Sequence, residues 1–467
     1  MTVIENAETL RTRETKTREQ RRNAQKHLMP HFTKGTAWKQ QTMGVIERGE
    51  GCYVFDTDGR KYLDGLAGLF CTNLGHGRMD LVQAAAEQMA QLPFYPTWGW
   101  GNPPAIEAAT MIAAEAPGDL EEVFFVNSGS EAVESAVKFA RSYHLSKGDT
   151  ERFKVISREW SYHGTTLGGL SITGVPKFRT PFEPMLWTGT RHVRNTYGDT
   201  PDVLASAAAF EEMILAEGPE TVSAIICEPV QNGRGGLVPP NGYWPELRRI
   251  ADKYGVLLIA DEVICAFGRF GHFFASERFN VVPDIITFAK GVTSAYQPLG
   301  GFIARQPLVD SVWDSPMGTY MHGATFGGHP VATAVAVANI SAMRSEGIMQ
   351  HVLHNEAGFR RRMDELMAEH NCVSEVRGLG YFYALELVAD SETGTPLSDA
   401  QRTALQGGGL NSMLRDAGLL IRPDDRGATM LVTSPPLVAD DAVLDDLQTR
   451  LDAAFSNTDR WLDQNPA

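Results

Sequence analysis

The sequence predicts an α/β protein whose larger domain holds a mostly parallel sheet covered by helices on both faces. Between about residues 80 and 325, short apolar segments typical of buried strands alternate with segments of helical periodicity. The chain has 467 residues, enough for two or more domains. Its composition, 43% hydrophobic and 21% charged, is typical of a globular protein with a large core.

The N-terminal quarter begins with a polar segment. Residues 1–26 are rich in charge and are predicted to be an N-terminal arm that is mobile or draped over a partner. Residues 51–56 and 61–63 flank Thr57-Asp58-Gly59, which predicts a hairpin. Residues 27–75 are therefore assigned to the N-terminal part of a smaller α/β domain.

The alternating region, residues 76–330, is predicted to be the larger domain. Its strands are expected at residues 122–126, 153–156, 222–226 and 256–260, and helices at 130–145 and 243–253 fall between them. An Ala-rich helical segment follows residue 330, and residues 381–387 again have the character of a strand. Residues 331–467 are therefore predicted to complete the smaller domain.

Composition excludes several classes of function. A formal charge of −15 argues against nucleic acid or an anionic membrane as a partner. The five scattered cysteines form no CxxC, the twelve histidines are dispersed and there is no HExxH, so no metal site is predicted. No signal peptide or membrane-spanning run is visible, and a cytoplasmic location is expected.

Two polar residues end neighbouring apolar runs. Lys290 follows residues 283–289, and Asp261 follows residues 256–260. Open α/β sheets build their sites at the carboxyl ends of strands. Pyridoxal phosphate needs both groups there, because a lysine bonds to its aldehyde and a carboxylate keeps its ring nitrogen protonated. Although a lone lysine is usually solvated, the pair predicts a pyridoxal-phosphate site with Lys290 as the catalytic residue.

The loop at residues 127–132 follows a predicted strand and opens a helix. Gly129 lets a ligand approach the backbone, Ser130 is expected to cap the helix, and the free amides attract an anion. The loop lacks the Gly-Lys-Ser/Thr of a nucleotide P-loop. It is interpreted as a phosphate cup, with an ordinary helix cap as the alternative.

Three further segments offer polar or aromatic groups. Tyr162 could stack on a flat ring with His163 beside it, although such pairs more often serve packing. The Gly-rich segment 322–329 offers the Thr325 hydroxyl to a phosphate, or is an inter-domain turn. Glu228 ends a strand and either supports the site or is solvated.

A different class of enzyme is also conceivable. Ser130 or Ser161 with His163 could form a Ser/His hydrolase, although no GxSxG motif is present. That interpretation leaves Lys290 and Asp261 unexplained, so the cofactor hypothesis is favoured.

From His27 to its C-terminal helices, the chain resembles the class III, or omega, aminotransferases. The motifs that carry the resemblance stand in the family's order at residues 64–68, 127–132, 162–164, 228–231, 261–263, 289–291, 325 and 434–436. The resemblance implies the pyridoxal-phosphate-dependent transferase fold type I. That fold has a large domain with a mostly parallel, seven-stranded-type sheet and a smaller α/β domain built from both termini.

The resemblance also implies roles for single residues. Lys290 matches the lysine that bonds to the cofactor and shuttles the proton, and Asp261 matches the partner of the pyridinium nitrogen. Thr325 matches a residue that reaches the phosphate from the other subunit, which implies a homodimer with shared active sites and leaves a tetramer open. The predicted cofactor-binding residues are Ser128, Gly129, Ser130, Tyr162, His163, Glu228 (near the ring hydroxyl), Asp261, Val263 (on the ring face opposite Tyr162), Lys290 and Thr325.

Departures from the family pattern indicate a subgroup. Members that use 2-oxoglutarate typically carry an arginine where this chain has Thr165 and a gating glutamate where it has Gly233. Arg422 instead matches the movable arginine of the amine–pyruvate and β-alanine–pyruvate subgroup, whose planar fork suits a carboxylate. Arg234 occupies a position that is usually small. The predicted substrate-binding residues are Phe70, Trp98, Tyr162 and Arg422, and Trp100 lies in the same aromatic segment as Trp98.

The resemblance therefore implies an aminotransferase that moves an amino group from an ω-amino acid or primary amine to pyruvate, giving an aldehyde or ketone and alanine. The alternatives are a diaminopelargonate-type enzyme, a 2-oxoglutarate-dependent class III aminotransferase, or an aminomutase, which needs no external acceptor. The preferred amine is open.

Overall fold

A computed structural model describes residues 7–33, 35–40 and 44–466. The helices of these residues are α1 (Ala7–His27), α2 (Gly35–Gln40), α3 (Ala67–Phe70), α4 (Met79–Gln91), α5 (Pro103–Glu115), α6 (Gly129–Ser146), α7 (Leu167–Ile172), α8 (Pro176–Arg179), α9 (Ala205–Glu217), α10 (Tyr243–Tyr254), α11 (Ala275–Arg278), α12 (Gln306–Trp313), α13 (Pro330–Ser345), α14 (Ile348–Glu369), α15 (Asp399–Ala404), α16 (Leu410–Asp416) and α17 (Asp441–Gln464). None of the helices described is long and apolar enough to cross a bilayer.

The strands are β1 (Ile46–Glu50), β2 (Tyr53–Asp56), β3 (Lys61–Asp64), β4 (Leu120–Val126), β5 (Lys154–Arg158), β6 (Thr190–Val193), β7 (Val222–Cys227), β8 (Leu257–Asp261), β9 (Ile285–Phe288), β10 (Gly300–Arg305), β11 (Val373–Leu379), β12 (Phe382–Leu387), β13 (Leu419–Leu420), β14 (Arg422–Asp424) and β15 (Met430–Thr433). They form three sheets.

The central sheet has seven strands in the order β4-β10-β9-β8-β7-β5-β6. Strands β9, β8, β7, β5 and β6 run parallel to one another, whereas β10 is antiparallel to both β4 and β9. Every residue of β7, β8 and β9 is buried, as expected for apolar strands covered on both faces. The predicted α/β class with a mostly parallel seven-stranded sheet is confirmed.

Two four-stranded sheets lie outside the central one. The first has the order β1-β2-β3-β13, and its last pair is parallel, with Leu419 opposite Leu63. Because β3 and β13 lie more than three hundred residues apart in sequence, this pairing joins the N-terminal and C-terminal segments. The second has the order β11-β12-β15-β14. The division of the chain into a larger and a smaller domain, with its boundaries, stays a prediction.

Two details differ from the sequence expectations. Asp261 is the last residue of β8 rather than the residue after it, and β9 ends at Phe288, so Lys290 lies beyond the strand and begins a 3₁₀ turn, Lys290–Thr293. Of the predicted N-terminal arm, residues 1–6 lie outside the described residues and residues 7–26 lie in α1, whose buried Thr17 donates from Oγ1 to the carbonyl of Thr57 at 3.4 Å.

Candidate active site

A cavity of about 140 Å³ opens at the carboxyl ends of the parallel strands. Its walls come from the segments that follow β4, β5, β7, β8 and β9. Nine of the ten predicted cofactor-binding residues line it, and Thr325 is the exception. The lining residues are Ser128, Gly129, Ser130, Val133, Tyr162, His163, Gly164, Glu228, Val230, Asp261, Val263, Ile264 and Lys290.

Asp261 is held rigidly at the cavity floor. It is 4% exposed, and its Oδ1 accepts hydrogen bonds from the Val263 amide and the Thr287 hydroxyl, each at 3.1 Å. Its Oδ2 lies 2.6 Å from Nδ1 of His163, which donates to it. Three donors at one buried carboxylate fix its position and orientation.

His163 connects Asp261 to the next loop. Its backbone amide donates to the Thr173 hydroxyl at 2.9 Å, which fixes the loop that also carries Tyr162. The other ring nitrogen, Nε2, is buried and has no hydrogen-bond partner within the described residues. His163 therefore orients the carboxylate and leaves one nitrogen available to a ligand.

Lys290 lies in a strained backbone conformation with its amine in a buried setting. Its φ is 47°, a left-handed value that is uncommon for a residue with a side chain and is often found at functional sites. Burial lowers the pKa of the Lys290 ammonium, and Arg422 lowers it further, against the opposing effects of Cys71, Asp261 and Cys265. A lysine with a lowered pKa is a better nucleophile and base near neutral pH.

The N-terminus of α6 faces the cavity. Ser128, rather than the predicted Ser130, is the N-cap, because its hydroxyl accepts from the Glu131 amide at 3.3 Å while its φ and ψ are extended. The Ser130 hydroxyl instead accepts from the Thr165 amide at 3.2 Å. A side chain at Gly129 would come within 2.7 Å of Val263, so this backbone stays bare and open to an anion.

Glu228 is 5% exposed and lines the cavity wall. Its Oε1 accepts from the Asn232 amide at 3.2 Å and its backbone carbonyl from Arg158 Nη2 at 2.6 Å. Burial raises the pKa of Glu228 despite the opposing charges of His163 and Arg158. Arg158 is fully buried beneath it, and the sequence offered no local signal for this partner.

Arg422 lies beside the cavity in a cluster that the sequence did not reveal. Its guanidinium is 5.2 Å from the Phe70 ring centroid and bonds Asp424 and Asn232. Arg426 bonds the same two residues and lies 5.8 Å from the Tyr162 ring. Phe70 is 2% exposed and packs edge-on against Phe382, so it supports Arg422 rather than lining the cavity itself.

Trp98 and Thr325 lie on a different surface of the same chain. Trp98 is 66% exposed and, with Trp100, lines a broad groove beside the loop that contains Gly323 and Ala324. Thr325 is exposed in that loop. The chain brings neither residue into the cavity that Lys290 lines, so their predicted roles stay predictions.

The contacts of the two serines do not support the hydrolase alternative. The Ser130 hydroxyl accepts from the Thr165 amide, and the Ser161 hydroxyl accepts from the Gly174 amide at 3.3 Å. His163 is committed to Asp261 through Nδ1, and neither serine makes a hydrogen bond to its ring among the contacts of the described residues.

The chain matches a known protein family over most of its length. Residues 35–455 match the family model described as aminotransferase class-III. The chain belongs to the class-III aminotransferases. Enzymes of this family depend on pyridoxal 5′-phosphate, and so does this aminotransferase.

Several curated relatives cover nearly the whole aminotransferase chain. A probable aminotransferase of Mycobacterium tuberculosis is 43% identical over 93% of this chain and 94% of the relative. The putrescine–pyruvate aminotransferase of Pseudomonas aeruginosa is 39% identical over 93% of this chain and 95% of its own. The diaminobutyrate–2-oxoglutarate transaminase of Halomonas elongata is 37% identical over 88% and 90%, respectively.

Solved structures show the same fold. The crystal structure of a transaminase from the marine bacterium Virgibacillus superposes with a TM-score of 0.91 at 32% identity, covering 95% of this chain and all of that one. The predicted fold type I is confirmed.

The cavity of this aminotransferase fits pyridoxal phosphate. Lys290 offers an amine of lowered pKa for the aldehyde, and Asp261 offers a carboxylate for the ring nitrogen. The start of α6 offers free amides to the phosphate. Two buried wall atoms, Nε2 of His163 and Oε2 of Glu228, have no hydrogen-bond partner in the described part of the chain and can bond a polar ligand.

Proposed function

We propose that this aminotransferase moves an amino group from an ω-amino acid or primary amine to pyruvate, giving an aldehyde or ketone and alanine. The observation that carries the proposal is Arg422, a guanidinium beside the cavity whose Nε is buried without a hydrogen-bond partner among the described residues. One planar fork of this kind satisfies the single carboxylate of pyruvate.

The chain lacks both residues that 2-oxoglutarate-dependent members of the family typically carry, the arginine at position 165 and the gating glutamate at position 233. Thr165 is exposed and has no charge. At Gly233 a Cβ atom would lie 1.7 Å from the Trp160 carbonyl oxygen, so this backbone accepts no side chain there, and a glutamate least of all. The second carboxylate of 2-oxoglutarate would then enter the site without a charged partner, at a cost of several kcal/mol.

Arg234 and Arg426 are the other arginines that could bind a substrate carboxylate. Arg234 donates from its amide to the Arg426 carbonyl at 2.9 Å and from Nη1 to the Gly427 carbonyl at 2.5 Å, and it stacks 4.0 Å over the Tyr197 ring. Arg426 is 5% exposed and is neutralised by Asp424. Both are thus engaged in holding residues 424–427, which supports Arg422 as the carboxylate ligand.

The relatives are aminotransferases, but their names give different amino-group acceptors. One is named for putrescine and pyruvate, another for diaminobutyrate and 2-oxoglutarate. The 2-oxoglutarate reaction is therefore the nearest alternative, followed by a diaminopelargonate-type reaction and by an aminomutase.

The residues of the chain divide the work of the reaction. Bound pyridoxal phosphate supplies an aldehyde and a protonated ring that withdraws electrons. Lys290 would take the proton from the substrate carbon and pass it to the cofactor carbon that carried the aldehyde, because its lowered pKa leaves the amine free to act as a base. Asp261 would keep the ring nitrogen protonated, and Tyr162 and Val263, which line the cavity, would pack against the ring.

We further propose a homodimer with shared active sites. The exposed apolar residues around Trp98 and the exposed loop of Thr325 form a surface that a second subunit can cover. In such a dimer Thr325 would reach the phosphate bound by the partner.

Half-reactions with a panel of donors, each followed by pyruvate or 2-oxoglutarate, test the proposal. We expect pyruvate to exceed 2-oxoglutarate by at least about a hundredfold in kcat/KM. Arg422→Ala should strongly impair pyruvate and β-alanine and spare amines without a carboxylate. Comparable rates with both acceptors, lost in Arg234→Ala, would overturn the pyruvate assignment, and turnover without any acceptor would identify an aminomutase.

A further inference from the structure

The turn that carries Lys290 has left-handed backbone conformations at both of its ends. Lys290 has a φ of 47°, and Ser294 and Ala295, which follow the 3₁₀ turn, have φ values of 46° and 64°. Residues with side chains keep such conformations only where neighbouring groups hold them in place. The position of the Lys290 amine therefore depends on the groups that hold this turn.

The side chain of Asn339, in α13, holds the turn through three hydrogen bonds. Its Nδ2 donates to the carbonyl of Gly291 at 2.9 Å and to the carbonyl of Val292 at 3.0 Å. Its Oδ1 accepts from the Ser294 hydroxyl at 2.6 Å. One fully buried amide thus bonds three of the four residues that follow Lys290.

The orientation of the Asn339 amide is fixed by Ser294. The Ser294 hydroxyl accepts from the Leu74 amide at 3.1 Å, so its own proton is free to donate to Oδ1 of Asn339. With Oδ1 bound to a donor, both hydrogens of Nδ2 point at the carbonyls of the turn. The bonds therefore join the turn to α13 and to the segment that contains Leu74.

The turn also packs closely against Asn73. This residue is 1% exposed, and its side chain bonds the Phe267 carbonyl at 2.8 Å and Arg269 Nη2 at 2.7 Å. A Cβ at Gly291 would lie 2.3 Å from Asn73 Nδ2. The backbone of the turn therefore has no room to shift toward Asn73.

We propose that Asn339 is a positioning residue that holds the strained turn in the conformation from which Lys290 transfers a proton. The inference rests on the proposed function only through the role of Lys290 and not through the choice of acceptor. A base must lie within reach of the proton it takes, and a misplacement of about 1 Å costs about a hundredfold in rate. Asn339 is not among the residues that line the cavity, so it acts on the reaction through the turn.

Two substitutions weaken this contact, and a third serves as a control. Asn339→Leu removes all three hydrogen bonds and keeps the branched shape of the side chain. Ser294→Ala is milder, because it removes only the bond that orients the amide, and it decides the question if Asn339→Leu does not fold. The matched control is Asn355→Leu in α14, since Asn355 is also buried and donates to the His351 carbonyl of its own helix at 2.9 Å.

Single half-reactions of the holoenzyme are followed by cofactor absorbance with alanine, the product of the proposed reaction, and with benzylamine, which has no carboxylate. We expect Asn339→Leu to slow both by the same factor, about ten- to a hundredfold, and Ser294→Ala to slow both by about three- to tenfold. The losses should be equal because the Lys290 step is common to both donors. The release rate of pyridoxamine phosphate, which has no aldehyde to bond to Lys290, should be unchanged.

Hydrogen exchange of the holoenzyme measures the turn independently of activity. The amides of Val292 and Ser294 bond to carbonyls of the same segment and should exchange at least about tenfold faster in Asn339→Leu. Asn355→Leu should keep wild-type exchange in the turn and wild-type half-reaction rates, whatever its thermal stability.

The outcomes separate this inference from the proposed function. Wild-type rates and exchange in Asn339→Leu, or in Ser294→Ala if the former does not fold, would overturn the positioning role. A slower half-reaction matched by faster release of pyridoxamine phosphate would overturn it too, because it would indicate general damage to the cavity. If Lys290→Ala keeps its half-reaction rates, the role that the proposed function gives Lys290 fails, while faster exchange in Asn339→Leu would still show that Asn339 holds the turn.

Discussion

At the scale of single residues, hydrogen bonds hold the side chains of this site in fixed positions. Asp261 accepts three hydrogen bonds, from His163, the Val263 amide and Thr287. Such a carboxylate presents its charge to a ring nitrogen without reorganising during the reaction. The same rigidity makes each of these residues sensitive to substitution.

Asp261→Asn should lower turnover by at least about a hundredfold, which corresponds to about 2.7 kcal/mol. The amide cannot hold the proton on the ring nitrogen, and a buried charge pair costs several kcal/mol to break. The check is single-turnover kinetics together with a titration of pyridoxal phosphate, whose affinity should change far less. Turnover within a few-fold of wild type would make Asp261 structural only.

Lys290→Ala should abolish turnover and leave the fold and the subunit assembly unchanged, because only the nucleophile and proton carrier are removed. Wild-type enzyme should be yellow and should lose this absorbance with borohydride as the cofactor is fixed to Lys290. Mass spectrometry of a digest locates the modification. A variant with full activity would contradict the assignment.

At the scale of secondary-structure elements, the imidazole of His192 in β6 makes hydrogen bonds to both α7 and α8. His192 in β6 donates from Nε2 to the carbonyl of Ile172, the last residue of α7, at 3.0 Å. Its Nδ1 accepts from Arg179, the last residue of α8, also at 3.0 Å. Both bonds need the neutral imidazole, and burial together with the charge of Arg179 lowers the pKa of His192 to about 4.

This contact predicts an acid sensitivity. The unfolded chain binds a proton near the ordinary value of 6.5 and the folded one only near 4, so stability contributed by neutral His192 is lost as pH falls from about 6.5 to about 4. Between pH 7 and 5 the loss should be about 2 kcal/mol. His192→Gln keeps both hydrogen bonds without titrating, so urea unfolding of this variant should show a flatter pH dependence, and equal slopes would contradict the pKa shift.

Some strands and contacts of this fold could be predicted from the sequence, and others could not. Buried strands such as β7 and β8 have near-continuous apolar runs, so they and the polar residues at their ends could be predicted locally. The antiparallel direction of β10 could not, because it is set by pairing with β4 and β9. The site partners Thr287, Asp424 and Arg426 could not be predicted either, because their contacts join distant parts of the chain. Arg426, for example, bonds Asn232 across 194 residues of sequence.

At the scale of the whole molecule, a patch of exposed apolar side chains surrounds the loop of Thr325. Met321 is 83% exposed and Phe326 is 54% exposed, on either side of Thr325. Trp98 and Trp100 are neighbours of this loop across one groove. A patch of this kind is expected to be covered, and a two-fold axis would bring the loop of one subunit to the other.

Mixed dimers test whether the active sites are shared. Co-expressed Lys290→Ala and Thr325→Asp subunits, each inactive in its own homodimer, should form a heterodimer with one intact site and about half of the wild-type activity. The intact site has Lys290 from one subunit and Thr325 from the other. Differently tagged subunits allow the heterodimer to be purified and assayed, and an inactive heterodimer would place Thr325 in its own subunit's site.

The contact between Gly233 and Trp160 has a consequence for how this enzyme can change its acceptor. Because a Cβ at residue 233 meets the Trp160 carbonyl, no single codon change can install the missing glutamate without displacing that loop. Trp160 would first have to move, yet its amide is bonded to Gly174, and Tyr162 lies two residues further along the same loop. Under the proposed function, a switch from pyruvate to 2-oxoglutarate that uses a glutamate at residue 233 therefore requires the whole loop of Trp160 and Tyr162 to shift, so evolution would reach it by replacing the loop rather than by one substitution.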